Sequence, residues 1–230
     1  DYIYRSTPRT NLGGKIYTAT EYPSHLSIPL HNENSYSDNW PRRIIFFCAI
    51  SALEGGQTPI ADSRKVYQRI DESIRKKFEE KGILYVRNYR PGLDLDWREV
   101  FQTSNKDEVE KYCREHSIDY IWDTQDSELR TMQICPAFLD HPETRERVWF
   151  NQAHLFHFST IEQETGFSFL DELGEANLPR NTYYGDGEAI EKEALETIKD
   201  AYHKEEIVFN WQRGDLMILD NVLMAHGRKP

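Results

Sequence analysis

An imidazole and a carboxylate stand two residues apart in Pro29-Leu30-His31-Asn32-Glu33-Asn34-Ser35-Tyr36, and this spacing constrains the chain more than any other feature. Side chains at i and i+2 of an extended segment leave from the same face, so His31 and Glu33 converge on one point, as two ligands of one metal would. The best candidate for a third ligand is distant: His226, in Leu219-Asp220-Asn221-Val222-Leu223-Met224-Ala225-His226-Gly227-Arg228. Two histidines and a carboxylate on one face of an octahedron leave three positions open. That is the arrangement with which non-haem Fe(II) holds a co-substrate beside O2. A His-x-Glu pair also occurs by chance, so the surrounding sequence has to carry the assignment.

Composition narrows the partners. The formal net charge of -11, with 29% charged residues, disfavours a nucleic acid or an anionic membrane and fits a small molecule. Cys48, Cys113 and Cys135 are odd in number and lack a Cys-x-x-Cys spacing, so neither a disulfide framework nor a thiolate zinc site is expected. No apolar run approaches a membrane span and the first residues do not read as a signal peptide, so a soluble, cytoplasmic protein is expected. A length of 230 residues suits one domain. Because one candidate ligand lies close to the start and another close to the end, a single domain over 1–230, truncated at both ends, is the expectation.

Along the chain, Gly13-Gly14 reads as a turn leading to a short strand at 15–18, and the apolar run from Arg43 to Ile50 reads as a buried strand. Val66, Ile70, Ile74 and Phe78 recur at helical spacing, which predicts one helix over 63–81. A strand is expected at 83–89, a helix at 105–116 and strand pieces at 120–122, 129–135 and 148–150. Ile190, Leu195, Ile198 and Tyr202 predict a third helix over 188–203, followed by strands at 206–211 and 215–219. Strands at both ends with helices between them point to a mainly β fold with inserted helices, a jelly roll whose mouth gathers the ligands.

Several motifs resemble one family. His31-Asn32-Glu33, Trp40-Pro41-Arg42, Phe46-Phe47, Gly55-Gly56-Gln57-Thr58-Pro59-Ile60-Ala61-Asp62, Val148-Trp149-Phe150-Asn151-Gln152, Tyr184-Gly185-Asp186-Gly187, Trp211-Gln212-Arg213-Gly214-Asp215, Asp220-Asn221 and His226-Gly227-Arg228 are similar to the core of the TauD/TfdA family. These are Fe(II)- and 2-oxoglutarate-dependent dioxygenases with the clavaminate-synthase-like double-stranded β-helix, and the nearest resemblance is to their SyrP-like branch. The resemblance implies His31, Glu33 and His226 as iron ligands and Thr58 as a donor to a 2-oxoglutarate carboxylate, a role its hydroxyl can fill. The resemblance also implies a carboxylate-clamping arginine, expected beyond Pro230. Arg228 is the nearby substitute, better suited to a structural or substrate-facing role.

Halogenating relatives have a small residue at the carboxylate position, so Glu33 implies hydroxylation, with desaturation as a variant outcome. The implied substrate is an amino acid, free or tethered to a carrier protein, in secondary metabolism. Two other readings remain open: a cupin-like metal-binding protein without catalysis, and a zinc hydrolase using His154 and His157. His25, His116, His141 and His203 read as surface or loop residues, Asp220 as a turn or supporting group, and Trp40, Trp149 and Trp211 as core or pocket wall. Residues 89–107 and 151–158 are expected to line the substrate pocket.

Overall fold

His226 is the Cα partner of His31 in an antiparallel ladder, and the folding of this part of the chain serves that pairing. The computed structural model describes residues 4, 6–7, 9–90, 95–124, 127–165 and 168–230. The strands in chain order are β1 (Asn11–Gly13), β2 (Ile16–Tyr17), β3 (Ile28–His31), β4 (Arg43–Phe47), β5 (Ile60–Asp62), β6 (Ile83–Tyr89), β7 (Asp119–Trp122), β8 (Leu129–Cys135), β9 (Phe138–Asp140), β10 (Arg147–Trp149), β11 (Arg180–Tyr184), β12 (Leu216–Asp220) and β13 (Met224–Arg228). The helices are α1 (Ser63–Arg69), α2 (Glu72–Lys81), α3 (Trp97–Phe101), α4 (Lys106–Glu115), α5 (Ala153–Phe156), α6 (Phe158–Thr165), α7 (Phe169–Leu173) and α8 (Lys192–Glu205), with a 3-10 turn at Glu175–Asn177. The chain divides into two units, one of residues 1–23, 86–133 and 167–181, the other of residues 24–85, 134–166 and 182–230.

In the second unit β13 is the middle strand of the sheet β3-β13-β5, with His226 opposite His31 on one side and Ile60 on the other. A side chain at Gly227 would meet the Ile28 carbonyl oxygen at 2.6 Å, so the residue after His226 has to be glycine for the strands to close. β4 pairs with β12 in the register Ile45↔Ile218 and Phe47↔Leu216. Alternate residues of such a pair face opposite ways, and only one face is packed: Phe46 lies against His226 with ring centroids 5.2 Å apart, whereas Ile45 and Phe47 are exposed. The expected buried strand over 43–50 is therefore shorter and buried on one face only.

The turn between β12 and β13 is anchored at both levels. Asp220 Oδ1 accepts from the Val222 and Leu223 amides (2.9 and 3.3 Å), and Val222 packs with Val148 and Phe150, covered by Trp40, Leu139 and Leu223. Burial of a side chain of this size contributes about 1.5–3 kcal/mol, enough to fix the approach to His226.

Three expectations shift. The single helix over 63–81 is two, because Ile70 and Asp71 are extended (ψ 134° and 140°); Ile70 is buried at the break and Asp71 is the N-cap of α2. The helix expected from 188 starts at Lys192, since the Glu188 carbonyl accepts from the Tyr184 amide (2.9 Å) and Ala189 bridges Tyr183. Residues 206–211 make one bridge, Ile207 with Ile60, rather than a strand. The short helices α3 and α5–α7 have no counterpart in the sequence expectations.

In the first unit β1 and β2 form the hairpin expected around Gly13-Gly14, and β7 pairs with β8 from Asp119↔Met132 to Trp122↔Leu129. α4 matches its expected position, with Asn105 as N-cap accepting from the Asp107 amide at 3.0 Å. Tyr4, Phe101 and Tyr112 pack together, and the Trp97 ring meets Trp122 edge-on at 5.1 Å. Trp97, Val100 and Phe101 are thus core residues, although 89–107 read as pocket lining; residues 91–94 of that stretch lie outside the described residues.

Candidate metal centre

β3 ends on His31, and the turn that follows presents Glu33. Asn34 takes a left-handed φ of 56°, which asparagine tolerates better than most residues. The turn is closed by Ser35, whose amide and hydroxyl donate to the Asn32 carbonyl (3.3 and 2.9 Å), and by Ser37, whose amide and hydroxyl donate to the Asn34 carbonyl (3.0 Å each).

His31 Nε2 stands 3.8 Å and His226 Nε2 3.5 Å from the same Glu33 oxygen, Oε2. One donor atom from each of the three residues lies within 4.8 Å of the others, and among the described residues this is the one such group of three or more. Neither separation is a hydrogen bond. Ligands of one ion bonded at about 2.1 Å in neighbouring positions stand about 3 Å apart, so both separations lie within about 1 Å of coordination geometry. His31 Nδ1 is 2.8 Å from the Pro29 carbonyl oxygen, which places the proton on Nδ1 and leaves the Nε2 lone pair for a metal. Glu33 and His226 are buried. A buried carboxylate costs several kcal/mol unless a cation compensates it, and a divalent ion at the convergence point would do so. The donor set fits Fe(II).

Polar contacts brace the set. Asn32 Nδ2 donates to the Asn221 carbonyl (2.7 Å) and to Ser63 Oγ (3.0 Å), and Gln152 Nε2 donates to the Asn32 carbonyl (2.8 Å). His154 Nε2 is 3.0 Å from the Leu30 carbonyl oxygen, immediately before His31. Of these, Asn221 and Gln152 appeared in the sequence only inside longer motifs, and no periodicity or spacing signalled their roles.

Thr58 precedes β5. The ladder with β13 continues beyond it, with the Gly227 amide donating to the Pro59 carbonyl and the Lys229 amide to the Gln57 carbonyl (2.9 Å each), so Thr58 lies opposite Arg228. Gly55 and Gly56 turn the chain into this segment with φ of 66°, and a Cβ at Gly55 would collide with the Pro230 carbonyl oxygen. Thr58 Oγ1 accepts from Trp211 Nε1 at 2.9 Å, and among the described residues its hydroxyl proton is given to none. Arg228 Nη2 donates to the Leu26 carbonyl (3.0 Å), and the residue lines a cavity of about 250 Å³ with Pro29, Leu30, Pro59, His154 and Tyr202 among its walls.

The remaining histidines separate clearly. His154 lies in the one-turn helix α5 and His157 is its extended C-cap, so the two do not share a helical face, and they belong to no metal-ligand cluster among the described residues. Burial pushes the His154 imidazole down to about 3 and that of His157 to about 4. His141, read as a surface or loop residue, lies in the loop after β9 but is buried, with Nε2 3.3 Å from Asp220 Oδ2 and Nδ1 accepting from the Thr144 amide (3.1 Å). It supports the turn that leads to His226. His25 and His203 are exposed.

Two imidazoles and one carboxylate close on one point, the donor set that mononuclear centres of the two-histidine, one-carboxylate class use. The family model described as taurine catabolism dioxygenase TauD, TfdA family matches residues 2–230, and the chain belongs to that family, whose members are 2-oxoglutarate-dependent dioxygenases that use Fe(II). The dapdiamide synthesis protein DdaC of Enterobacter agglomerans is 46% identical over 229 residues, covering 100% of this chain and 69% of that protein. A clavaminate synthase-like protein of Arabidopsis thaliana is 30% identical over 242 residues, with the same coverage. Among solved structures, asparagine oxygenase in complex with Fe(II), 2S,3S-3-hydroxyasparagine and succinate aligns at 14% identity and TM-score 0.48, over 89% of this chain and 44% of that one. PvcB, an iron- and α-ketoglutarate-dependent oxygenase from an isonitrile synthetic pathway, aligns at 16% and 0.45, over 91% of this chain and 53% of that one. The chain thus spans about half the length of these solved structures. Among the described residues no helix is long and apolar enough to cross a membrane.

Proposed function

We propose that the chain carries the catalytic centre of an Fe(II)- and 2-oxoglutarate-dependent dioxygenase that hydroxylates an amino acid, free or tethered to a carrier protein, in secondary metabolism. The convergence of His31, Glu33 and His226 on one point carries this reading. Family membership supports the co-substrate, and a 46% identical relative named for dapdiamide synthesis supports a small amino-acid-related substrate. Residues 1–230 are read as one domain, with β3, β13, β5, β4 and β12 as part of a double-stranded β-helix, or jelly roll. Three buried thiols and no paired cysteine support a reducing, cytoplasmic setting.

In this reading His31, Glu33 and His226 would hold the metal, a three-residue set that would leave room for 2-oxoglutarate and O2. Fe(II) held there would supply the redox chemistry that couples oxidative decarboxylation of 2-oxoglutarate to succinate with hydroxylation of a substrate C–H bond by O2. The Pro29 carbonyl fixes the His31 tautomer, and Phe46 covers one side of His226 with an apolar ring. Thr58 has a hydroxyl proton to give to a co-substrate carboxylate, and Arg228, which donates to the Leu26 carbonyl and lines the neighbouring cavity, is the nearby guanidinium, better suited to a structural or substrate-facing role. Glu33 occupies the position that a halide would need, which favours hydroxylation over halogenation. Incubation with Fe(II), 2-oxoglutarate and candidate amino acids tests the reading: succinate forms if it holds, and its absence across free and carrier-bound substrates would leave a metal-binding protein without catalysis.

A further inference from the structure

We infer that Asn221 is a positioning residue for the metal centre, setting Glu33 at its distance from His226 through one carboxamide; this rests on His31, Glu33 and His226 being the ligands. β3 stops at His31, so Glu33 lies past the end of the β3–β13 ladder. Asn221 supplies what a strand would. Its Oδ1 accepts from the Glu33 amide (2.7 Å) and its Nδ2 donates to the Glu33 carbonyl (3.0 Å), matching the pair of bonds that two opposite residues exchange in an antiparallel sheet. The second Nδ2 proton goes to the Pro41 carbonyl at 2.8 Å, so both donors and the acceptor are used.

The main chain of Asn221 is pinned as well. Its amide donates to the Arg42 carbonyl (2.9 Å) and its carbonyl accepts from Asn32 Nδ2 (2.7 Å), the side chain between His31 and Glu33. Asn221 is fully buried in the turn that leads into β13, the strand carrying His226. One residue therefore ties the carboxylate ligand to the strand of the distal histidine.

The chemistry demands an amide. Aspartate has nearly the same shape, but its carboxylate has no proton to donate and would face the Glu33 and Pro41 carbonyl oxygens. Groups that orient metal ligands from outside the coordination sphere typically account for 10- to 100-fold in metal affinity.

The experiment is a double-mutant cycle on Ni(II) affinity, measured by competition with a chelator in the unmutated chain, Asn221→Asp, Glu33→Ala and the double variant. Asn221→Asp should weaken Ni(II) by about 10- to 100-fold when Glu33 is present and by less than about 2-fold in the Glu33→Ala background, because its effect passes through Glu33. The visible bands of bound Co(II) should shift in Asn221→Asp. Equal weakening in both backgrounds, or none in either, overturns the inference. Unchanged affinity in Glu33→Ala means instead that Glu33 is not a ligand, a separate failure. Should Asn221→Asp not fold, amide exchange in the unmutated metal-free protein decides: the Glu33 amide is protected if Asn221 holds it, and exchange at the rate of an open loop overturns the inference.

Discussion

His31 and His226 are Cα partners across the β3–β13 ladder, their rings 4.7 Å apart between centroids and tilted by 46°. A ladder pair keeps its spacing without a metal, because the strands are held by backbone hydrogen bonds and by the glycine that lets them close. The expected consequence is that His31→Ala and His226→Ala each abolish Fe(II) binding while leaving the far-UV circular dichroism unchanged. Metal analysis after anaerobic loading checks this, and full iron stoichiometry in both variants would refute the ligand set.

Thr58 offers a hydroxyl proton, and a lost hydrogen bond to a charged acceptor costs about 1.5–3 kcal/mol. Thr58→Val should weaken 2-oxoglutarate binding by that amount, while Thr58→Ser should keep most of the affinity. Valine also leaves the Trp211 indole N–H without its acceptor, so the serine variant separates the two effects. Calorimetric titration of the metal-loaded protein with 2-oxoglutarate reads both, and the same titration of Arg228→Ala shows whether that guanidinium takes part.

Reaction outcome rests on Glu33. With its substrate, Fe(II), 2-oxoglutarate, O2 and chloride all present, the unmutated protein should yield a product heavier by one oxygen, read by mass spectrometry. A chlorinated main product would refute the hydroxylase reading, and loss of two hydrogens would redirect it to desaturation.

Acid stability follows from the buried histidines. His154 titrates near 3 in the folded chain because burial disfavours its charged form, against about 6.5 when unfolded. Between those values the unfolded chain binds more protons, so this contribution to stability is complete above about pH 6.5 and declines as the pH falls towards 3. At pH 5 the loss from His154 is about 2 kcal/mol, and His157, depressed to about 4, steepens the slope. Urea unfolding of the metal-free protein at pH 7 and pH 5 should show this drop, and His154→Gln, which keeps a donor for the Leu30 carbonyl, should lessen it by about 2 kcal/mol. An unchanged pH dependence in that variant would rule out His154 as its source.

The sequence by itself determined the features that are local. The strands at 83–89 and 129–135 and the helix from Lys106 are encoded by the period of apolar side chains, each within a short window, whereas Glu33 converges on His31 from a turn past the end of β3 and Gly227 is required by the Ile28 carbonyl of a distant strand. Tertiary structure decided the rest. Periodicity predicted one helix through Ile70, but burial of that side chain at a break made two. The apolar run 43–50 looked uniformly buried, yet only the face bearing Phe46 packs on the site. That Asn221 stands beside Glu33, and His141 beside Asp220, follows from hydrogen bonds between residues far apart in sequence. Such pairings leave no periodic trace, because the partner of a buried polar group is chosen by where the chain returns and not by its neighbours along it.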